Sequence, residues 1–131
     1  MLIAIAAVLA IVFLGGHSAA VSPQLEQTEK LIKKDVTDEA RRKQALDIVD
    51  QMKKTEKDSA RESKKQTDSL ADVLKDRQAS ADAIEAACQP LIANDAATAD
   101  KLLDLRFELK SVLTRSEWGQ VFPPPTTQPL D

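Results

Sequence analysis

Residues 102–122 read LLDLRFELKSVLTRSEWGQVF and carry the clearest apolar pattern of the chain. Large apolar side chains recur there at steps of three and four residues, which predicts a helix with one buried side. We expect Leu105 and Leu109 near the centre of that side, where they are candidates for contact with a partner or with a second copy of the chain. The apolar positions of this helix are Leu102, Leu103, Leu105, Phe107, Leu109, Val112 and Leu113.

A second, shorter helix is predicted directly after the leucine-rich one. Thr114 and Glu117 have the spacing of a capping box, in which the Thr114 hydroxyl accepts from the Glu117 amide and the Glu117 carboxylate accepts from the Thr114 amide. This helix would carry Trp118 and Phe122, and it can fold back onto the leucine face. Trp118 is predicted to be a core anchor or, alternatively, a docking residue for a partner. Residues 123–131, PPPTTQPLD, would stop the helix and form an extended or disordered tail.

The preceding region, residues 22–93, is charged and is predicted to be a long amphipathic, coiled-coil-like helix. Ser22 can cap it, and Pro23 suits a first helical turn because that amide has no intrahelical partner. Residues 53–69 contain no large apolar side chain, but they also lack Gly and Pro. We therefore expect a continuous helix there, which either projects into water or packs through a thin seam of Ala60, Ser63 and Thr67, although a bend near 53–69 is the alternative.

An apolar stripe resumes at Leu70, Leu74, Arg77, Ala81, Ile84, Cys88 and Leu91. Pro90 removes a helical hydrogen bond, so we expect the helix to kink or end near Gln89. Asp95 or Thr98 would then start a C-terminal helical unit, residues 95–122, built as a hairpin plus the short capped helix. Cys88 is expected to be a buried apolar residue or, in an oxidising compartment, a bridge between two chains.

The first fourteen residues, MLIAIAAVLAIVFL, contain no charged or polar side chain. This apolar run suits the core of a signal peptide and is shorter than the roughly 20 residues that cross a bilayer. Small residues at Ser18 and Ala20 fit a cut after Ala20, whereas the absence of Lys or Arg before the run favours an uncleaved segment. Residues 1–20 are therefore predicted to be a signal peptide or a membrane anchor. The protein is expected to be periplasmic, or anchored in the inner membrane with its charged part outside the cytoplasm.

Composition argues against several classes of function. The net charge is −3 and basic residues are interleaved with acidic ones, so we expect no nucleic-acid partner. His17 is the sole histidine and Cys88 the sole cysteine, which leaves no material for a histidine-activated nucleophile or a thiolate zinc site. We predict that the protein is not an enzyme and uses no cofactor.

The segment from Leu113 to Glu117 resembles the LTxxQ element of the Spy/CpxP-type periplasmic helical proteins. Leu113 and Thr114 match that element, whereas Glu117 stands where the family has Gln, and one such element is found where the family usually shows two. The resemblance covers roughly residues 102–122. It implies a small, exported, all-helical protein with a chaperone or stress-sensing role.

These observations predict an all-α protein that works by binding other proteins. The first hypothesis is an exported helical binding module, chaperone-like or related to envelope stress. The alternative is a membrane-anchored coiled-coil spacer or adaptor that self-associates. The two differ in the fate of residues 1–20, because a spacer keeps its anchor and a soluble module loses its leader.

Overall fold

The computed structural model describes residues 22–124, and every regular element within that range is a helix. The all-α prediction is therefore confirmed for this part of the chain. Within these residues, no helix combines the length and the apolar character of a membrane span. The predicted leader, its cleavage site after Ala20 and the end of the predicted tail lie outside the described residues. The helices are α1 (Pro23–Asp35), α2 (Glu39–Lys75), α3 (Ala81–Val112) and α4 (Arg115–Val121).

The chain divides into two compact units. The central unit comprises Lys54–Lys101, and the terminal unit is described over residues 22–53 and 102–124. The terminal unit contains α1, the beginning of α2, the end of α3 and α4. The central unit contains the remainder of α2 and α3 with the turn that joins them.

The terminal unit has the larger apolar core of the two. All its helices contribute to this core; the leucine-rich end of α3 supplies Leu105 and Leu109, and Leu113 follows directly after that helix. Trp118 and Phe122 of α4 pack against the core from its edge, as the fold-back prediction required. The buried members are Ile32, Val36, Ala45, Ile48, Val49, Met52, Leu105, Leu109, Leu113 and Val121.

The prediction of one long helical region over residues 22–93 is wrong, because α1 ends at Asp35 and α2 begins at Glu39. Val36 leaves the helix with φ −90° and ψ 101°, and its side chain is buried in the core of the terminal unit. Asp38 then caps α2, since its Oδ1 accepts from the Arg41 amide at 2.8 Å. Burial of Val36 and the cap at Asp38 together explain the break.

A second break separates α2 from α3. The apolar stripe from Leu70 to Leu91, which was predicted to lie on one helix, is therefore divided between these two helices. Residues 76–80 form a turn in which Asp76 Oδ1 accepts from the Gln78 amide at 2.9 Å. Ser80 caps α3 by accepting from the Ala83 amide at 3.1 Å. Arg77, expected on the apolar stripe, is instead exposed in this turn.

The central unit is a helical hairpin with a small apolar cluster. Leu70 of α2 and Cys88 of α3 are fully buried, and Leu91 is nearly so. Residues 53–69 lie within the continuous helix α2, and Ser63, one of the small residues of this stretch, is buried. The partly buried residues around the cluster are Leu74, Ile84, Ala87 and Ile92.

Helix α3 continues through Pro90, so the predicted helix end near Gln89 and the fresh start at Asp95 or Thr98 are wrong. Cys88 and Leu91 bury their side chains on either side of the proline. Thr98, expected as a cap, donates its hydroxyl hydrogen bond to Ser59 Oγ at 2.8 Å. Packing against α2 on both sides of the proline holds α3 together despite the missing hydrogen bond. The expected hairpin within residues 95–122 is accordingly replaced by the hairpin of α2 and α3.

Candidate functional site

Helix α4 is held in place first by its own N-terminus. The Thr114 hydroxyl accepts from the Glu117 amide at 3.2 Å, and Glu117 Oε2 accepts from the Thr114 amide at 2.9 Å. Both halves of the expected capping box are thus present. Because α4 has only 7 residues after this cap, the box fixes where Trp118 and Phe122 emerge.

Glu117 also connects α4 to the start of α2. Nη1 of Arg41 donates to both carboxylate oxygens of Glu117, at 2.7 and 2.5 Å. The Glu117 side chain is 11% exposed, so this ion pair is shielded from water on the carboxylate side. Burial alone would raise the pKa of Glu117, but the hydrogen bonds from the Thr114 amide and from Arg41 outweigh it and lower that pKa.

We expect the contribution of Glu117 to stability to disappear in acid. Since its folded pKa lies below the ordinary value of 4.5, the stabilisation is complete above that value and is lost as the pH falls through the folded pKa. Glu117→Gln keeps an acceptor for the capping box and removes the charge that faces Arg41. The variant should melt below the wild type at pH 7, and the gap should narrow as the pH falls from 6 to 3 in thermal unfolding followed by circular dichroism.

The matched control is Glu108→Gln, because Glu108 is exposed on α3 and has no basic partner among the described residues. Its melting temperature should follow that of the wild type closely at every pH. If the difference in melting temperature between Glu117→Gln and the wild type stayed constant from pH 6 to pH 3, the ionic role of Glu117 would be contradicted.

Three side chains at the junction of α3 and α4 form a stack. The rings of Trp118 and Phe122 lie 4.4 Å apart between centroids and are tilted by 43°. The guanidinium carbon of Arg106 lies 5.4 Å from the Trp118 ring centroid and 5.1 Å from that of Phe122. Both distances are within the range of a cation–π interaction, so the rings hold the arginine against their surface.

The stack forms one wall of an open groove of about 880 Å³. Helix α1 also lines the groove, with Leu31 as its large apolar residue, and Pro123 and Pro124 contribute to the lining. All these residues belong to the terminal unit. The lining residues are Pro23, Gln24, Gln27, Thr28, Leu31, Arg106, Trp118, Val121, Phe122, Pro123 and Pro124.

The start of α1 is shaped by short-range hydrogen bonds. Ser22 caps the helix by accepting from the Leu25 amide at 3.4 Å, and Pro23 occupies the first turn as predicted. The Thr28 hydroxyl donates to the Gln24 carbonyl at 2.9 Å, so it is already engaged within the helix. The amide side chains of Gln24 and Gln27 are exposed on the groove wall.

Of the residues that the sequence offered for partner contact, the structure places only Trp118 and Phe122 on this groove. Leu105 and Leu109 are 5% and 0% exposed, so they belong to the core rather than to a docking surface. Cys88 is fully buried in the central unit, and burial raises the pKa of its thiol, with the Glu85 carboxylate raising it further. In this fold the thiol is therefore not available to a second chain.

A separate apolar feature lies on the opposite side of α3 from Leu105 and Leu109. Leu103 and Phe107 are 52% and 60% exposed and stand one helical turn apart. The sequence assigned both to the buried stripe. They fall outside it because a stripe of seven apolar residues is wider than the surface that α1, α2 and α4 cover.

The described residues contain no cluster of three or more His, Cys, Asp or Glu that could hold a metal ion. The Glu117 and Glu29 carboxylates are paired with basic side chains. Glu29 pairs with both Lys33 and Lys53. The groove itself is lined by amide side chains, aromatic rings and a guanidinium.

Neither Arg41 nor Arg106 was predicted from the sequence to belong to this site. Arg41 and its partner Glu117 are 76 residues apart, and no local pattern links them. Arg106 sits beside the leucine stripe of α3, and only the fold-back of α4 brings it under Trp118. The local pattern that pointed to this site was the capping box of Thr114 and Glu117, because it fixes the direction in which α4 leaves α3.

Comparison with known proteins adds no relative. No protein-family model, no curated protein and no solved structure matches this chain.

Proposed function

We propose that the protein is an exported, non-catalytic helical module that binds exposed segments of other proteins in the groove between α1 and α4. The observation that carries this proposal is the open groove of about 880 Å³, walled by Trp118, Phe122 and Leu31. Tryptophan and arginine are enriched among the residues that dominate binding energy at protein interfaces. The similarity of Leu113–Glu117 to the LTxxQ element and the apolar leader support the exported and chaperone-like parts of the proposal.

The groove suits an extended polypeptide better than a small substrate. It is open to solvent and combines apolar rings with exposed amide side chains from Gln24 and Gln27. Rings can cover the apolar side chains of a bound segment, while amides can hydrogen-bond its backbone. None of these groups supplies a nucleophile or a general base.

The chain contains one tryptophan, so its fluorescence reports on the groove directly. The test is a titration with the peptide acetyl-Ala-Leu-Ala-Leu-Ala-amide, with the serine counterpart acetyl-Ala-Ser-Ala-Ser-Ala-amide as the polar control. We expect a blue shift of Trp118 emission with the leucine peptide only, with a dissociation constant of about 0.1–1 mM, as is usual for a short ligand. No shift with either peptide would contradict the proposal.

Two matched variants assign any shift to the groove. Gln27→Arg places a bulkier side chain on the groove wall and should weaken binding of the leucine peptide. Gln44→Arg makes the same change at an exposed position of α2 that does not line the groove, and should leave binding unchanged. Equal effects of the two variants would place the peptide elsewhere.

The second candidate function is a self-associating spacer, and the exposed pair Leu103 and Phe107 favours it. A helix that shows two large apolar side chains to water can bury them against a second copy. Sedimentation equilibrium of the full chain would then show a dimer, and Phe107→Ser would shift it to monomer. If the chain remained a monomer at 100 times the protein concentration used in the peptide titrations, this function would be excluded.

A further inference from the structure

Arg106 is a cation without an acidic partner in the part of the chain that the structure describes. No carboxylate of residues 22–124 lies within ion-pair distance of its guanidinium, whereas Arg41 of the same unit is paired with Glu117. The side chain is exposed and lines the groove. Its face is occupied by the Trp118 and Phe122 rings, which leaves the N–H groups at its edge open to a ligand.

The two rings hold the positive charge of Arg106 at the position where a bound polypeptide segment would pass. A free arginine side chain loses rotamer freedom when it pairs with a carboxylate, but the two rings already restrict this one. The planar guanidinium matches the two oxygens of a carboxylate, and the rings beside it are an apolar surface. Among the described lining residues, Arg106 alone carries a charge, so nothing in the groove wall opposes an anion.

We propose that the groove selects extended segments of partner proteins in which a large apolar residue adjoins an Asp or Glu, with the carboxylate bound by Arg106 and the apolar side chain on the Trp118 and Phe122 rings. This inference rests on the proposed peptide-binding function and names the chemistry of its ligand. The remaining polar groups, Gln24 and Gln27, are uncharged and serve the backbone of the segment rather than its carboxylate.

The test compares two nearly isosteric peptides, acetyl-Ala-Leu-Asp-Leu-Ala-amide and acetyl-Ala-Leu-Asn-Leu-Ala-amide, by Trp118 fluorescence with the full chain. We expect the Asp peptide to bind about tenfold more tightly, because a charge-assisted pair replaces a neutral hydrogen bond. Raising NaCl from 0.05 to 0.5 M should reduce that advantage and leave the Asn peptide unaffected. Equal affinities of the two peptides would overturn the inference while leaving the proposed function intact, and binding of neither would overturn both.

Two variants assign the preference to Arg106. Arg106→Gln should make the two peptides bind alike, whereas Arg77→Gln, which removes the same charge from the exposed turn of the central unit, should preserve the tenfold difference. Circular dichroism at 222 nm and the Asn-peptide affinity check that Arg106→Gln remains folded; if it does not, Arg106→Lys takes its place and should retain a preference that is reduced but salt-sensitive. A preference that survives in Arg106→Gln would overturn the assignment.

Leu130 and Asp131, which lie outside the described residues, are a leucine followed by an aspartate and have the chemistry of the proposed ligand. If this segment rather than a partner filled the groove, the double variant Leu130→Ser and Asp131→Asn, which removes the apolar side chain and the side-chain carboxylate, would raise the affinity for the added Asp peptide several-fold. That result would overturn the assignment of the groove to a partner. Unchanged affinity in the double variant supports it.

Discussion

Replacing Leu109 by Ala is expected to lower the free energy of unfolding by about 3 kcal/mol. Leu109 is fully buried in the core of the terminal unit, where residues from α1, α2, α3 and α4 meet. Truncation removes apolar surface from that core and leaves a cavity that a packed interior fills only in part. For a chain of this size the loss corresponds to a fall in melting temperature of roughly 10–20 °C.

The measurement is urea unfolding followed by circular dichroism at 222 nm, with Leu103→Ala as the matched variant. Leu103 lies on the same helix but is 52% exposed, so the same chemical change should cost well under 1 kcal/mol there. Equal losses in the two variants would mean that the buried side of α3 has been assigned wrongly. A small loss for Leu109→Ala alone would mean that the core is loosely packed.

Replacing Pro90 by Ala is expected to stabilise the protein by about 2 kcal/mol. Pro90 lies in the interior of α3, where it leaves the carbonyl of Ala86 without its usual helical donor. Alanine restores that donor and is the best helix former, a gain of up to about 3 kcal/mol over proline. Part of this gain is lost because alanine gives the unfolded chain more conformational freedom.

Pro90 is exposed, so the change removes no contact from the apolar cluster of Leu70, Cys88 and Leu91. The matched control is Gln89→Ala, an exposed neighbour whose replacement should alter stability by less than about 0.5 kcal/mol. Thermal and urea unfolding of both variants provide the comparison. A loss of stability in Pro90→Ala would show that the packing of α3 depends on the proline, contrary to the expectation from its exposure.

The sequence predicted those features that short-range physical chemistry determines. The capping box of Thr114 and Glu117 and the cap and first turn at Ser22 and Pro23 are all present, because each depends on residues within one helical turn. The all-α class followed from the same local patterns. Helix continuity through residues 53–69 was also expected, since nothing there disrupts a helix.

The errors occurred where tertiary packing outweighs local preference. Pro90 predicts a helix end, but packing of Cys88 and Leu91 and the hydrogen bond from Thr98 to Ser59 keep α3 continuous. Val36 shows the reverse, because a residue compatible with a helix leaves it to reach the core. Both outcomes depend on which helix lies opposite, and a single sequence does not contain that information.

The groove was predictable only in part, for the same reason. Trp118 and Phe122 could be singled out because large aromatic residues on a short helix need a surface to pack on. Arg106 and the α1 wall with Gln24 and Gln27 could not, since their nearness to Trp118 arises from the return of α4 across α3 and from the docking of α1 against α4. The site is thus assembled from segments about 80 residues apart in the chain.

The unique thiol and the unique tryptophan lie in different units. Cys88 is fully buried in the central unit, and Trp118 lies at the edge of the core of the terminal unit. The rate at which Cys88 reacts with a thiol reagent therefore reports how fast the central unit opens, while Trp118 emission follows the unfolding of the terminal unit. Without any substitution to introduce a probe, the protein can reveal whether its two units unfold in a single cooperative transition or in sequence.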